Sequence, residues 1–274
     1  MTTKTVATRP IEGQKPGTSG LRKKTDVFMT PGYLENYVQS IFEGVGGIEG
    51  KTLVVGGDGR YFNDTAIQTI LKMAAASGAA RLIVGQGGLF STPAASNMIR
   101  KRGAFGGLIL SASHNPGGLH GDFGLKFNMA NGGPASEAVT SEIFARTRTI
   151  QSYRIVEADD VDLSTLGTST IGGTKIEIVD PVTDYAELME SLFDFDAIAA
   201  MFRSGFTMRF DAMHAATGPY AKAILEGRLG APEGTVVNAV PLPDFGGGHP
   251  DPNPIYAKDL YDLMAGPDAP DMGA

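Results

Sequence analysis

Short apolar runs alternate with amphipathic helical patterns over residues 52–110, and this alternation constrains the fold more than any other feature of the chain. Between the runs, residues 64–77 carry apolar side chains at helical spacing, and Gly78 is placed to end that helix. Thr92 is expected to cap a second helix with Pro93 at its first position. The runs themselves predict strands at residues 52–55, 81–84 and 107–110. This β-α-β-α-β order predicts a parallel sheet covered by helices.

A second unit of the same kind is predicted in the last third of the chain. The polar stretch 150–175 is interpreted as connecting strands and loops, and a helix is expected over 183–193. The pattern then predicts a strand at 207–210, a helix begun by Pro219, a strand at 235–240, a helix over 255–265 and the first residues of a strand at 271–274. The expected fold class is α/β, with a mixed, largely parallel sheet covered by helices. The expected domains are residues 1–182 and an incomplete, similar second domain at residues 183–274.

Composition excludes several other classes of protein. A chain of 274 residues with 42% hydrophobic residues can bury a substantial core. Its net charge of −7 gives no support for nucleic-acid binding, and the absence of cysteine excludes a disulfide framework. No stretch approaches the roughly 18 apolar residues of a membrane span, and the first thirty residues contain no apolar run typical of a signal peptide. We therefore expect a cytoplasmic protein that contacts neither membrane nor nucleic acid.

The residues most suggestive of chemistry form a glycine-rich turn directly after the predicted strand at 107–110. This serine turn (residues 111–118) reads Ser-Ala-Ser-His-Asn-Pro-Gly-Gly. Ligands of open α/β sheets bind beyond the carboxyl ends of such strands, so Ser113 is placed to meet a substrate. The compact turn also allows backbone N–H groups to converge on an anion. Taken alone, a serine in a turn more often caps or solvates the backbone.

A second candidate lies on the strand predicted at residues 123–128. Because side chains alternate along a strand, Phe123, Leu125 and Phe127 share one face while Lys126 points to the other. Asp58 and Arg60 follow the strand at 52–55, where a turn and a salt bridge are the preferred interpretation. His249 and Asp251 could suggest a metal pair, but the neighbouring prolines favour a stiff interdomain loop.

The serine turn resembles the Ser-His-Asn-Pro loop of the α-D-phosphohexomutase superfamily, and the phosphoglucomutase branch is the most similar. Four further segments carry the same resemblance, so it runs from about residue 14 almost to the end. They read Lys-Pro-Gly-Thr-Ser-Gly-Leu-Arg at 15–22, Val-Val-Gly-Gly-Asp-Gly-Arg at 54–60, Gly-Asp-Phe-Gly-Leu-Lys-Phe-Asn at 121–128 and Asp-Phe-Gly-Gly-Gly-His-Pro-Asp-Pro-Asn at 244–253.

The resemblance implies roles for four residues. Ser113 would carry a phosphoryl group that it donates to a hexose phosphate and then recovers. Lys126 would act in proton transfer or charge stabilisation, although a solvated surface lysine is the alternative. Arg22 would contact the phosphoryl group, although it could form a basic patch with the lysines that follow it. His114 would contact substrate or the phosphoryl group, or else orient the turn.

The resemblance also implies Mg²⁺, bound by an oxygen of the Ser113 phosphate and by an Asp-Gly-Asp-Gly-Asp-Arg loop. That loop does not occur in this sequence. The expected reaction interconverts glucose 1-phosphate and glucose 6-phosphate through glucose 1,6-bisphosphate. The alternatives are a mutase for another hexose phosphate, or a non-catalytic phosphoprotein or interaction module of the same fold with weak or no turnover by this chain.

Other enzyme classes fit the sequence poorly. The glycines Gly44, Gly46 and Gly50 precede a strand and lack dinucleotide-binding spacing. A Gly-x-x-x-x-Gly-Lys-Ser/Thr phosphate loop does not occur, which disfavours a P-loop NTPase. Ser113 also lacks the Gly-x-Ser-x-Gly context of a serine hydrolase.

Overall fold

A computed structural model describes residues 2–17 and 19–274. Thr18, which belongs to one of the segments that carry the resemblance, lies outside the described residues, as does Met1. The first part of the chain contains β1 Thr3–Ala7, β2 Leu21–Lys24, α1 Thr25–Phe28, α2 Tyr33–Gly44, β3 Thr52–Gly57, α3 Asn63–Ala76, β4 Arg81–Leu89, α4 Thr92–Lys101, β5 Gly106–Leu110, β6 Asp122–Met129, α5 Glu137–Thr147, β7 Ser152–Val156, β8 Gly167–Ile171 and β9 Thr174–Val179.

The remainder forms a second unit with its own short strands. Its elements are α6 Thr183–Leu192, α7 Phe195–Arg203, β10 Met208–Asp211, α8 Thr217–Ala221, a π-helix at Lys222–Arg228, β11 Val236–Val237, a 3₁₀ turn at Phe245–Gly247, α9 Lys258–Ala265 and β12 Met272–Gly273. Strand β10 lies between β11 and β12 and pairs with both in parallel. The predicted strand at the end of the chain is confirmed.

A seven-stranded sheet in the order β2-β6-β5-β3-β4-β9-β8 forms the centre of the first unit. The inner strands β5, β3, β4 and β9 run parallel, whereas β6 and β8 are antiparallel to their neighbours. Because β2 is antiparallel to β6, it runs in the same direction as β5. The predicted α/β class with a mixed, largely parallel sheet covered by helices is confirmed.

The two faces of this sheet bury separate cores. One face packs against α2 and α3 and includes Leu108, Leu110 and Phe123. The other face packs against α4 and includes Val54, Ile83 and Ile109. Tyr220 of the second unit joins this second core, and its hydroxyl accepts a hydrogen bond from Ser91 N at 3.1 Å. The second unit is therefore anchored beside the N-terminus of α4.

The start of α4 differs from the prediction. Ser91, not Thr92, is the N-cap: its backbone is extended and its hydroxyl accepts a hydrogen bond from Ala94 N at 3.3 Å. Thr92 is already helical, so its hydroxyl is free to accept a hydrogen bond from elsewhere. At the other predicted boundary, Gly78 follows the end of α3 with φ of +78°, as expected for the residue that ends a helix.

Three boundaries in the second unit also differ from the sequence expectations. The helix expected from Pro219 begins at Thr217 and continues as the π-helix. The strand expected at 235–240 is limited to β11, because Asn238 has a left-handed backbone with φ of +50°. The helix expected from residue 255 begins at Lys258, and the residues before it form a turn in which Asn253 Oδ1 accepts hydrogen bonds from Ile255 N and Tyr256 N.

The stretch 150–175 contains strands β7 and β8, in agreement with the prediction of connecting strands and loops. Strand β7 pairs with β1, which the sequence did not reveal. Strand β9 ends at Val179 and α6 begins at Thr183, and the domain boundary at 182/183 stays a prediction. Among the described residues, no helix combines the length and the apolar character needed to cross a membrane.

Candidate active site

Ser113 lies at the exposed apex of the serine turn in a left-handed conformation, with φ of +58°. Its backbone N–H donates to Ser111 Oγ at 3.0 Å, which closes the turn locally. Its own hydroxyl oxygen lies 3.4 Å from His114 Nδ1. A left-handed backbone is unfavourable for a residue with a Cβ, so other contacts must hold this conformation.

Arg60 supplies the contact that fixes the carbonyl of Ser113. Its side chain is fully buried, and Nη2 donates to Ser113 O at 2.9 Å. Nη1 donates to Asp122 O at 2.6 Å, and Nε donates to both carboxylate oxygens of Asp58 at 2.9 and 3.0 Å. The salt bridge expected for Asp58 and Arg60 is present, and it is also a support of the serine turn.

Asp122 holds the other end of the turn. Its carboxylate accepts a hydrogen bond from Asn115 Nδ2 at 2.9 Å and pairs with Lys24 Nζ at 2.8 Å. Its backbone N–H donates to Pro116 O at 2.8 Å. Lys24 is thus engaged in an ion pair on strand β2 rather than standing free.

Arg22 and Lys126 lie on the same face of the sheet at its β2-β6 edge. Arg22 is the cross-strand partner of Gly124, and Lys126 follows Gly124 by two residues on β6. A Cβ on Gly124 would lie 2.1 Å from the carbonyl oxygen of Ser111 and 3.3 Å from Arg22 Cγ. The missing side chain at this position lets the serine turn and the Arg22 stem approach the same point on β6.

Lys126 is partly buried on the face that α4 covers, as strand alternation predicts. Its Nζ donates to Thr92 Oγ1 at 3.2 Å. Burial lowers the pKa of Lys126 below 10.5, the positive charge of Arg22 lowers the pKa further, and Asp58 opposes both effects. The neutral amine is therefore more accessible here than in an ordinary lysine, which suits a group that accepts a proton.

A cleft of about 670 Å³ opens beside Lys126. It is bounded by α4, by the end of β6 with the following turn, and by α6. Its polar lining includes Ser19, Thr92, Ser96, Arg100, Lys126 and Asn128. The volume exceeds the roughly 300 Å³ of the smallest ligand pockets and can accommodate a sugar phosphate.

A segment of the second unit closes the back of the serine turn. Pro243 O accepts hydrogen bonds from Tyr61 N at 2.8 Å and from Gly118 N at 3.1 Å. The ring centroid of Phe245 lies 5.2 Å from Arg60 Cζ, so the ring covers the buried guanidinium group. Residues 244–253 carry part of the resemblance, but a contact between this segment and the serine turn was not predicted from the sequence.

A protein-family model matches the part of the chain that contains the serine turn. A family model described as phosphoglucomutase/phosphomannomutase, alpha/beta/alpha domain I, matches residues 13–154, just over half of the chain. The chain belongs to the phosphoglucomutase/phosphomannomutase family. The family assignment confirms the resemblance drawn from the serine turn and the four other segments.

Individual relatives place the chain within the phosphoglucomutase/phosphomannomutase family more closely. It is 58% identical over 271 residues to a phosphoglucomutase of Rhizobium radiobacter, covering 99% of this chain and 50% of the relative. A phosphoglucomutase of Schizosaccharomyces pombe is 52% identical over 259 residues, covering 93% of this chain and 47% of the relative. The chain spans about half the length of the curated relatives it matches.

Solved structures of the family confirm the fold. The open form of the exocytosis-sensitive phosphoprotein pp63/parafusin, a phosphoglucomutase from Paramecium, matches with a TM-score of 0.94 and 43% identity, over 99% of this chain and 52% of that one. A putative phosphomannomutase from Thermus thermophilus matches with a TM-score of 0.71 and 25% identity, over 97% of this chain and 54% of that one.

The residues present do not form a complete Mg²⁺ site of the kind that the resemblance implies. Among residues 2–17 and 19–274, no group of three or more His, Cys, Asp or Glu side chains could hold a metal ion. Two acidic residues beside the serine turn, Asp58 and Asp122, are already paired with Arg60 and Lys24, respectively. His249 stacks on Tyr256 with ring centroids 4.2 Å apart, and Asp251 accepts a hydrogen bond from Asn253, so these two residues make loop contacts.

Proposed function

We propose that this chain carries the phosphoserine of a phosphoglucomutase that interconverts glucose 1-phosphate and glucose 6-phosphate. The observation that carries the proposal is the exposed, left-handed Ser113 just after the end of β5, with Lys126 on the neighbouring strand β6 and Arg22 on β2. Identities of 58% and 52% to proteins named phosphoglucomutase support this substrate over another hexose phosphate.

In the proposed reaction, Ser113 and the sugar exchange one phosphoryl group. When glucose 1,6-bisphosphate phosphorylates the free serine, a bond forms between phosphorus and Ser113 Oγ while the bond from phosphorus to a sugar oxygen breaks. The serine proton leaves as the bond forms, and the released sugar oxygen takes up a proton. The phosphoserine then donates its phosphoryl group to the 6-hydroxyl of glucose 1-phosphate, which gives glucose 1,6-bisphosphate and the free serine. Return of the 1-phosphoryl group of this bisphosphate to Ser113 releases glucose 6-phosphate and regenerates the phosphoserine.

The chain's own residues would supply proton transfer and charge stabilisation. Lys126, whose pKa is lowered, accepts or returns the proton at Nζ. Arg22 contributes a positive charge beside Lys126 on the same face of the sheet. His114, with Nδ1 at 3.4 Å from the Ser113 hydroxyl oxygen, orients that hydroxyl or contacts the phosphoryl group. Mg²⁺ stays a proposed cofactor with the Ser113 phosphate as one ligand, and no step of this reaction is assigned to it.

The experiment is to incubate the polypeptide with glucose 1,6-bisphosphate and to measure its intact mass over time. A gain of one phosphoryl group that maps to Ser113, and that is absent in Ser113→Ala, supports the proposal. The same preparation is assayed for conversion of glucose 1-phosphate to glucose 6-phosphate. The mutase assignment would be contradicted if none of the hexose phosphate esters phosphorylated Ser113.

The alternative is a phosphoprotein that accepts the phosphoryl group without turning over substrate. Two observations support this alternative. The Paramecium relative is described as a phosphoprotein, and the described residues contain no cluster of three carboxylates that could hold a metal ion. Phosphorylation of Ser113 without isomerisation would support it. Faster transfer from mannose 1,6-bisphosphate than from the glucose compound would instead support a mutase for another hexose.

A further inference from the structure

Arg60 is a fully buried arginine that joins four separate parts of the chain. Its three nitrogens bind Asp58, the first residue of β6 and the carbonyl of Ser113, each with a different atom. Phe245 of the second unit covers the guanidinium plane at 5.2 Å. A buried charge persists only where its donors are paired, and lysine cannot reproduce this planar fork.

The hydrogen bond from Arg60 is made to the carbonyl of Ser113, the left-handed non-glycine residue of the serine turn. Ser113 has a left-handed backbone and an exposed side chain, so its conformation does not come from burial of the serine itself. The carbonyl of Ser113 follows directly after that left-handed φ, and Arg60 Nη2 holds it at 2.9 Å. Loss of this contact would release the turn toward ordinary backbone conformations.

Segment 243–245 of the second unit completes the enclosure of Arg60 and touches the serine turn directly. Pro243 O binds both Tyr61 N, next to Arg60, and Gly118 N at the end of the serine turn. A Cβ on Gly117 would lie 2.8 Å from Pro243 O and 2.8 Å from a ring carbon of Phe245. The serine turn and segment 243–245 are therefore in direct contact, and Arg60 contacts both, through the carbonyl of Ser113 and the ring of Phe245.

We propose that Arg60 is a positioning residue that couples the docking of segment 243–245 to the backbone conformation of Ser113. While the segment is docked, Phe245 excludes water from Arg60, and the undisturbed guanidinium group holds the Ser113 carbonyl. When the segment moves away, the guanidinium becomes hydrated and its hold on Ser113 weakens. The consequence for phosphoryl transfer rests on the proposed function, whereas the coupling itself does not.

Hydrogen exchange measured by mass spectrometry tests the coupling without any substrate. Arg60→Met and Arg60→Lys should raise the exchange rates of peptides covering residues 111–118 and 241–248 by about tenfold or more, while peptides from the β3-β4 core keep their protection. Arg81→Met is the matched control, because Arg81 pairs with Glu177 on β4 and β9 and does not contact the serine turn. Unchanged exchange of residues 111–118 in both Arg60 variants would overturn the proposal.

Phe245→Leu tests whether the second unit affects the serine turn through Arg60. This variant also provides the hydrogen-exchange test if Arg60→Met does not fold. Leucine keeps an apolar side chain but removes the ring face, so exchange of residues 111–118 should rise because water reaches the guanidinium group that holds Ser113. In the double variant with Arg60→Lys, the two effects should be less than multiplicative, because both act on one contact. Independent, fully multiplicative effects would overturn the coupling.

The functional readout is the rate of Ser113 phosphorylation by glucose 1,6-bisphosphate. Arg60→Lys should lower the maximal rate by about tenfold to a hundredfold with little change in the half-saturating concentration, because Arg60 positions the nucleophile and does not bind the sugar. Wild-type kinetics in Arg60→Lys would overturn the positioning role. If the unmodified protein takes up no phosphoryl group, the proposed function fails, and the exchange measurements still decide whether Arg60 holds the turn.

Discussion

Lys126 reaches across from the sheet to the first residue of α4, where its Nζ donates to Thr92 Oγ1 at 3.2 Å. Thr92 can accept this hydrogen bond because Ser91 performs the capping that the sequence pattern assigned to Thr92. The two adjacent hydroxyls thus have separate roles: that of Ser91 caps the backbone N–H of Ala94 in α4, and that of Thr92 orients the Lys126 amine beside the serine turn.

This division of tasks predicts different effects for two alanine substitutions. Ser91→Ala should lower the free energy of unfolding by about 1 kcal/mol, because Ala94 N loses its capping acceptor. Thr92→Ala should change it by less than about 0.5 kcal/mol but should slow phosphorylation of Ser113, because Lys126 loses its anchor. Urea denaturation and the intact-mass assay measure the two effects. The assignment of the cap would be wrong if Thr92→Ala were the more destabilising change.

Gly124→Ala should disrupt the junction between β5 and β6. The added Cβ would lie 2.1 Å from Ser111 O, which is part of the backbone and cannot rotate away. We expect a loss of about 3 kcal/mol or more in the free energy of unfolding, together with loss of Ser113 phosphorylation. Gly173→Ala is the control, since a Cβ there meets nothing within 4 Å, and its effect should stay within about 0.5 kcal/mol. Equal urea midpoints for the two variants would contradict the close approach at Gly124.

The sequence predicted those parts of the fold that depend on local periodicity. The strands around Val54, Ile83 and Ile109 and the intervening helices are present, because a run of apolar residues determines its own burial. The pairing of β1 with β7 was not predicted, since it joins opposite ends of the first unit through backbone hydrogen bonds that leave little pattern. The π-helix and the short β11 likewise depend on tertiary packing.

For the candidate site, the sequence segments predicted the candidate functional residues but not the contacts that hold these residues in place. Strand alternation placed Lys126 off the apolar face, and the structure brings it beside Arg22 on the same sheet edge. The burial of Arg60 and its cover by Phe245 could not be predicted, because that contact forms only when the two units pack together. The chemical roles of Ser113, His114, Arg22 and Lys126 stay predictions.

The left-handed backbone of Ser113 predicts that a residue with a Cβ lowers the stability of the folded protein at this position. Ser113→Gly should be more stable than Ser113→Ala by about 1 kcal/mol, because glycine adopts φ of +58° without the Cβ penalty. Both variants should accept no phosphoryl group. Thermal denaturation compares the stabilities of the two variants. The control is Ala200→Gly in helix α7, which should be less stable than the unmodified protein by about 1 kcal/mol. A Ser113→Ala protein as stable as Ser113→Gly would show that the turn relaxes without strain.

The lowered pKa of Lys126 predicts a pH-dependent stability of definite sign. The unfolded chain binds the proton of this amine up to about pH 10.5, whereas the folded protein releases it at lower pH because of burial and the charge of Arg22. Stability therefore rises with pH between the folded and unfolded pKa values, because the unfolded state holds more protons there. Lys126→Met should be more stable than the unmodified protein at pH 7, and this advantage should shrink as the pH approaches 10.5.

Lys101 provides a control of opposite sign on the same face of the molecule. Its hydrogen bonds to Asp184 and Glu187 raise the pKa of Lys101, so its stabilising effect is fully present below the unfolded pKa and is lost as the pH rises through the folded value. Lys101→Met should therefore be less stable than the unmodified protein at pH 7, with a deficit that disappears at high pH. Melting temperatures of the three proteins from pH 7 upward through 10.5 test both signs, and parallel curves for all three would contradict the inferred environment of Lys126.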